Sequence, residues 1–361
     1  MQRETVSARI DAEVGARRLQ ADPAQRVAAL KLDALGAALQ ARQPGFLRWR
    51  SRRNATRGLY LWGGVGRGKT LLMDLFFSTV EDTALRPMRS HFYHFMRDVH
   101  AALRDVKQRE APLDVVAARL ANRARVICLD EFLVADIADA MILSALFEGL
   151  FNRGVTLVTT SNVPPRELYK DGLQRQRFLP AIESICAHVD VMHLDGGVDY
   201  RLRQLEQAPT YLDSTRDDAA AALAQRFAAL AGGGARGPVT LSIEGRPLHT
   251  VDSGPGIVWF EFDELCNGPR SQNDYIEIAR LYHTVVIAHI PPFDASNENA
   301  ARRFIMLIDE LYDRGVKIVV SAAAAPAQLY RGERLHFEFE RAASRLIEMQ
   351  TQHYLAGRHR P

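Results

Sequence analysis

The sequence predicts an α/β protein built on a parallel β-sheet with helices on both faces, and three observations lead there. Five short apolar runs, at 58–62, 90–95, 125–130, 155–161 and 188–194, alternate with stretches of helical periodicity. Runs this short and apolar throughout fit strands that are covered on both sides. The first run feeds a glycine-rich loop that opens directly into a helical stretch, and the order of signals in the first half returns in the second.

In chain order, residues 22–42 carry helical spacing, with Asp22 placed as N-cap and Pro23 at the first helical position. "FLRWRSRRNATR" follows, with Arg48, Arg50, Arg52, Arg53 and Arg57 around Trp49. It reads as a solvated basic linker ahead of the first strand, with contact to a phosphate backbone as the alternative. The five strands come next, and "ADAMILSALFEGLFNRG" (138–154) is the clearest of the helices between them. Around 206–238 the composition shifts to an alanine-rich helix ended by glycines, followed by a strand-rich piece.

Residues 282–333 then repeat the order of 123–172: strand, loop, long helix, Arg-Gly-Val, strand, proline, Leu-Tyr. Arg153, Gly154 and Val155 stand opposite Arg314, Gly315 and Val316, and Leu168 and Tyr169 opposite Leu329 and Tyr330. His289 and Ile290 fall where the first copy has Asp130 and Glu131. This reads as a degenerate internal repeat; two ordinary βαβ units that share local signals are the rival explanation. The expected organisation is an N-terminal helical and basic segment (1–57), a core (58–205), and a helical linker with a C-terminal α/β domain (206–361).

With 361 residues, 47% of them hydrophobic, the chain can bury more than one core. A formal net charge of +3 is too balanced to imply nucleic acid by itself. Cys128, Cys186 and Cys266 are isolated in apolar sequence, which fits reduced core residues and neither a disulfide frame nor a zinc site. The first twenty residues hold acids and no apolar block, unlike a secretory signal or an organellar presequence. No run approaches bilayer length. The expectation is a cytoplasmic protein, any membrane association being peripheral.

The chemistry concentrates at three strand ends. Gly63, Gly64, Val65, Gly66, Arg67, Gly68, Lys69 and Thr70 fit G-x-x-x-x-G-K-[ST] between a strand and a helix. Glycines let successive N–H groups point into one concavity, and the helix start adds its positive dipole end. Lys69 is then placed for the β- and γ-phosphates of ATP and Thr70 for Mg2+, the arrangement of a P-loop NTPase. "VICLDEF" ends a strand in Asp130, suited to hold Mg2+, and Glu131, suited to polarise an attacking water. "LVTTSN" ends in Asn162, a candidate to bond both the γ-phosphate and that water, with a turn-forming Asn before "VPP" as the rival. Arg175 and Arg177 precede the fifth strand, where ring-forming ATPases carry an arginine that reaches a neighbour's γ-phosphate. The rival reading for either is a surface arginine, paired with Glu183 or solvated. Arg341 and Arg345 occupy the equivalent place in the repeat and have no assigned role.

Absences narrow the class. Neither N-K-x-D nor T-K-x-D is present, against a GTPase, and H-E-x-x-H is missing, against a fused protease. His91, His94 and His100 lack an acid or cysteine at ligand spacing, and alternation along a strand over "SHFYHF" accounts for the first two.

Together "GLYLWGGVGRGKTLLMDLFF", "CLDEFLVADIADAMIL", "TSNVPPRELYKDGLQRQRFLPAI", "PRSQNDYIEIARLYHTV" and "RRFIMLIDELYDRGVKIVVSA" resemble the ZapE family of AAA+ ATPases. The similarity is loose over 206–255. The resemblance implies ATP hydrolysis linked to remodelling of a protein partner, the division machinery and its tubulin-like polymer FtsZ, by a nucleotide-dependent homo-oligomer. Gly63 to Thr70, Asp130, Glu131 and Asn162 sit where the family's nucleotide motifs sit, while spacing does not choose between Arg175 and Arg177. The alternative is a nucleic-acid-associated ATPase resembling helicase loaders, which the basic segment near Trp49 favours and the lack of a DNA-binding module disfavours.

Overall fold

A computed structural model describes residues 4–16, 21–41, 56–64, 66–81, 83–134, 137–170, 172–195, 202, 205, 208–232, 234–235, 237–243 and 245–360. The chain divides into two units, Met1–Asp199 and Tyr200–Pro361. Among the described residues no helix is long and apolar enough to cross a membrane.

The first unit runs α1 (Val6–Gly15), α2 (Pro23–Ala41), β1 (Gly58–Trp62), α3 (Lys69–Val80), β2 (Pro87–His91), α4 (Phe92–Asp105), α5 (Pro112–Arg123), β3 (Val126–Asp130), α6 (Ile137–Phe151), β4 (Thr156–Ser161), α7 (Leu179–His188) and β5 (Val189–His193). At the start of α2, Asp22 Oδ1 accepts the N–H groups of Ala24 (2.8 Å) and Gln25 (3.2 Å), a cap worth about 1 kcal/mol. The strands form one parallel sheet in the order β2-β3-β4-β1-β5.

Period-two alternation divides their side chains between two cores. Leu59, Leu61, Val126, Cys128 and Val158 join α1, α2 and α3 on one face. Tyr60, Ile127, Leu129 and Leu157 join α4 to α7 on the other. The N-terminal helices α1 and α2 thus complete one face of this sheet and belong to its core. Burial pushes the Cys128 thiol up to about 12, so it stays a neutral core residue.

The strand expected at 90–95 is corrected. β2 covers Pro87–His91, and Phe92 already opens α4. Phe92, Phe95, Met96 and Val99 are buried on that helix, a spacing of three, four and seven. That spacing outweighs the brief alternation inside "SHFYHF".

The second unit runs β6 (Tyr211–Asp213), α8 (Ala219–Ala231), β7 (Thr240–Ile243), β8 (Arg246–His249), β9 (Asp252–Gly254), β10 (Ile257–Glu261), α9 (Phe262–Cys266), α10 (Gln272–Leu281), β11 (Thr284–Ile290), α11 (Glu298–Asp313), β12 (Lys317–Ala322), α12 (His336–Glu348) and α13 (Gln352–Ala356). Its sheet order is β6-β12-β11-β10-β9, parallel except for β9 against β10, with β7 and β8 as a separate antiparallel pair. Phe227 and Leu223 of α8 pack on Val286 and Val319 from one side. Phe262, Phe293, Phe304 and Phe339 form an aromatic cluster built on α9, α11 and α12.

The internal repeat is wider than the sequence implied. The four parallel strands β6-β12-β11-β10 reproduce β1-β4-β3-β2, each followed by a matching helix or turn, with β7–β9 inserted between α8 and β10. Strand registers also correct the alignment by one residue. Val126 pairs with Thr156 and Thr284 with Lys317, so Ala288 and His289, not His289 and Ile290, stand opposite Asp130 and Glu131. Both Glu131 (φ 54°) and His289 (φ 58°) are left-handed. Each donates its N–H to a hydroxyl on the neighbouring strand, Thr160 Oγ1 at 3.1 Å and Ser321 Oγ at 3.0 Å.

After β6, where the first unit has its glycine loop, comes an acidic turn. Asp213 Oδ1 accepts from Thr215 Oγ1 (2.7 Å), and Arg216 pairs with Asp218. Arg341 and Arg345 are accounted for as a clamp: both pair with Asp309 of α11, at 2.7 and 2.6 Å, which ties α12 to that helix.

Phe132 tests how firmly the segment after β3 is anchored. It is fully buried between Phe92, Tyr60 and Phe147, with ring centroids 4.4, 6.2 and 5.9 Å away. Phe132→Ala is expected to cost about 3–5 kcal/mol, read as a lower denaturant midpoint for the first unit. An unchanged unfolding curve would show that this ring does not hold the Asp130–Glu131 turn in place.

Candidate functional site

Parallel pairing of adjacent strands brings three chain segments to one sheet edge. Trp62 is level with Ser161 and Leu129 with Thr159, so the loop after β1, the acids after β3 and the tip of β4 emerge together. The loop itself leaves no room for larger side chains. A Cβ at Gly63 would lie 2.6 Å from Leu194 O, and one at Gly68 (φ 78°) would lie 2.8 Å from Gln25 Nε2. Val65 lies outside the described residues; Gly64, Gly66 and Arg67 complete the turn into α3.

Lys69, the first residue of α3, is buried at 9% exposure. Its ammonium donates to Gly63 O (2.8 Å), Gly64 O (2.6 Å) and Asn162 Oδ1 (3.0 Å). Three acceptors match the three donors of an ammonium, which is what a charge taken out of water requires. Lys69 therefore joins the glycine loop to the β4 tip, and Asn162 is brought into the site. The next residue, Thr70, is half-buried on the first turn of α3.

Asp130 ends β3 at 2% exposure. Oδ1 accepts from Thr160 Oγ1 (3.0 Å), and Oδ2 accepts from Arg89 Nη2 (2.6 Å) and Nε (3.1 Å). Arg89, on β2, also pairs with Asp74 through Nη1. Thr70 and Asp130 bring a hydroxyl and carboxylate oxygens, hard donors that suit Mg2+ and not a soft metal. The donor set fits that ion. Glu131 is half-buried, and its left-handed backbone turns the chain out of the strand immediately after Asp130.

The structure separates the two candidate arginines. Both lie on a 3-10 turn, Arg175–Arg177. Arg175 donates Nη2 to Arg166 O at 2.6 Å and is held inside its own unit. The Arg177 side chain is exposed and, among the described residues, makes no hydrogen bond or ion pair. Leu173, at 71% exposure, and Leu179, at 37%, flank it.

Of the arginines in the basic segment only Arg57 falls within the described residues; Arg48, Trp49, Arg50, Arg52 and Arg53 lie outside them. Arg57 is engaged in holding β1 to β5, with Nε 2.9 Å from Asp190 Oδ1 and Nη2 2.7 Å from Val189 O. His100 pairs with Asp139 at 2.6 Å.

Two residues at the site, Gln25 and Arg89, lie outside the motifs, and Thr160 of "LVTTSN" takes a role the motif did not assign. Gln25, 5% exposed, donates Nε2 to Arg67 O (3.2 Å) and walls the loop at Gly68 from α2. Arg89 and Thr160 hold Asp130. Arg89 precedes the strand expected at 90–95 and so carried no signal, and Gln25 gave none beyond being polar on the first turn of an amphipathic helix.

With this geometry in hand, known proteins supply the lineage. The AFG1-like ATPase family model matches residues 4–358. Escherichia coli (strain K12) cell division protein ZapE is 49% identical over 303 residues, 84% of this chain and 80% of that protein. Danio rerio lactation elevated protein 1 homolog B is 37% identical over 350 residues, 84% of this chain and 69% of that one. Among solved structures, AMPPCP-bound DnaA from Aquifex aeolicus is similar at 14% identity and a TM-score of 0.36, over 57% of this chain and 55% of that one, a level that carries no functional argument. A match that spans both units and the glycine loop, Asp130, Glu131 and Asn162 alike places the chain in the AFG1-like ATPase family.

Proposed function

We propose that the chain is a Mg2+-dependent ATP hydrolase that couples turnover to remodelling of a protein partner in the division machinery, with FtsZ as that partner. The observation that carries the catalytic part is the Lys69 ammonium held between the glycine loop and Asn162, beside Asp130 and Glu131. The partner rests on the Escherichia coli relative, which is a cell division protein. Action in the cytoplasm belongs to the same proposal. Of the arginines behind the alternative nucleic-acid reading, Arg57 is engaged within the first unit, and the others lie outside the described residues.

In this reading the N–H groups of Gly63 to Thr70 and the dipole of α3 bind the phosphates, and Lys69 exchanges its carbonyl acceptors for phosphate oxygens. Thr70 and Asp130 would hold Mg2+, which offsets phosphate charge. Glu131 accepts a hydrogen bond from the attacking water and draws off proton density, while Asn162 orients it. Arg177, free and flanked by exposed leucines, is assigned to reach the γ-phosphate bound by a neighbouring copy. Arg175 is assigned to position that turn.

Lys69→Ala should abolish ATP binding with the fold intact; unchanged affinity by calorimetry would remove the phosphate-loop assignment. Glu131→Gln keeps size and hydrogen bonding but not charge, so ATP should bind and persist, with turnover down roughly 10²-fold or more. Near-normal turnover would place the base elsewhere. The trapped protein also tests the partner: FtsZ should co-purify with it in ATP, and FtsZ should raise the wild-type rate. Stimulation by single-stranded DNA and not by FtsZ would overturn the proposed partner.

Arg177→Ala should lower turnover by about 10³-fold and spare ATP affinity, and activity should partly return when it is mixed with Lys69→Ala. Specific activity of the wild type should rise with protein concentration. Mixed oligomers that stay at background would refute action across an interface.

A further inference from the structure

Asp130 has no oxygen without a donor. Thr160 Oγ1 occupies Oδ1, and the Arg89 guanidinium occupies Oδ2 through two N–H groups at 2.6 and 3.1 Å. The remaining arm of Arg89 is taken by Asp74, one helical turn beyond Thr70 on α3. The group is shielded, with side-chain exposures of 16% for Arg89, 26% for Asp74 and 3% for Asp130. One guanidinium thus sits between two carboxylates, in the neighbourhood where Thr70 and Asp130 are read as cation ligands.

A purely structural ion pair would tie the edge strand β2 to its neighbour, and Arg89 lies opposite Cys128 in that pairing. But an arginine spent only on that task need not bind the one acid on which metal binding depends. Its contact with Asp74 gives it a second anchor, so it can yield Asp130 without being left unpaired in a shielded place.

We propose that Arg89 is a positioning residue that serves as the resident counter-ion of Asp130 and Asp74, so that a divalent cation is taken up only together with nucleotide. The proposal rests on the reading of Asp130 as a metal ligand. Before nucleotide binds, one positive charge already balances Asp130, and a cation entering alone meets both that charge and an occupied carboxylate. Phosphate oxygens bring the negative charge and additional ligands that make exchange favourable, with Arg89 turning toward Asp74. Acting through Asp130, it sets the cation requirement and touches neither phosphate nor water.

The test reads cation affinity directly, by Mn2+ paramagnetic resonance on nucleotide-free full-length protein. Wild type should not saturate with Mn2+ at concentrations that saturate it in the presence of ADP. Arg89→Gln should bind nucleotide-free Mn2+ at least about tenfold more tightly, because two carboxylates lose the cation they share. Adding Asp74→Asn to that variant should reverse part of the gain. Binding of a fluorescent ADP analogue to Arg89→Gln should require correspondingly less Mg2+.

A folded Arg89→Gln protein with unchanged Mn2+ affinity would overturn the proposal. If that variant does not fold, the wild type decides: one tight Mn2+ without nucleotide refutes it, and saturation only with ADP supports it. Should nucleotide binding by the wild type be indifferent to divalent cations, the reading of Asp130 fails as well. Dependence on the cation without an Arg89 effect would sink this inference alone.

Discussion

A lysine ammonium at 9% exposure needs three acceptors, and the first unit is arranged so that Gly63 O, Gly64 O and Asn162 Oδ1 supply them. Two acceptors come from the chain leaving β1 and the third from the chain leaving β4. Such a set exists only if those strands are adjacent, parallel and level at their ends, as the Trp62–Ser161 register makes them. The same register carries Asp130 and Thr160 to one height, where the hydroxyl holds the acid. Sheet order is therefore what places the site, and the two hydrophobic layers hold that sheet on both faces.

How much of this the sequence displayed follows from distance along the chain. The glycine loop was legible because its functional atoms belong to consecutive residues. The acids and Asn162 were legible as strand ends, since a short apolar run that stops at polar residues marks its own terminus. Arg89 and Gln25 were not, because their partners, Asp130 and Arg67, lie far along the chain and only packing unites them. The misread at "SHFYHF" has a local cause. Six residues satisfy a period of two and the start of a period of 3.6 about equally, and Met96 and Val99, which decide it, lie beyond the window. The repeat was visible through Arg-Gly-Val and Leu-Tyr, yet its register slipped by one, because identity cannot locate residues in a loop where the two copies share none.

The second unit also bears on the strain at Glu131. A left-handed non-glycine residue beside an acid invites the idea that backbone energy is stored for catalysis. His289 adopts the same conformation with an equivalent hydroxyl partner, Ser321 in place of Thr160, in a unit that has an acidic turn in place of the glycine loop. The conformation is accordingly a property of the way this strand ends against its neighbour. Catalysis at Glu131 would exploit a bend that the fold makes anyway.

The contact of Gln25 with the loop has a thermodynamic corollary. α2 supplies the wall beside Gly68, so the seating of that helix and the shape of the phosphate concavity are two coordinates of one equilibrium. By reciprocity, a ligand gripped in the concavity strengthens the docking of α2 by the same factor by which a docked α2 strengthens the grip. If the concavity holds nucleotide as proposed, anything that loosens the seating of α2, such as loss of its Asp22 cap, is felt as weaker nucleotide affinity at a distance from the ligand.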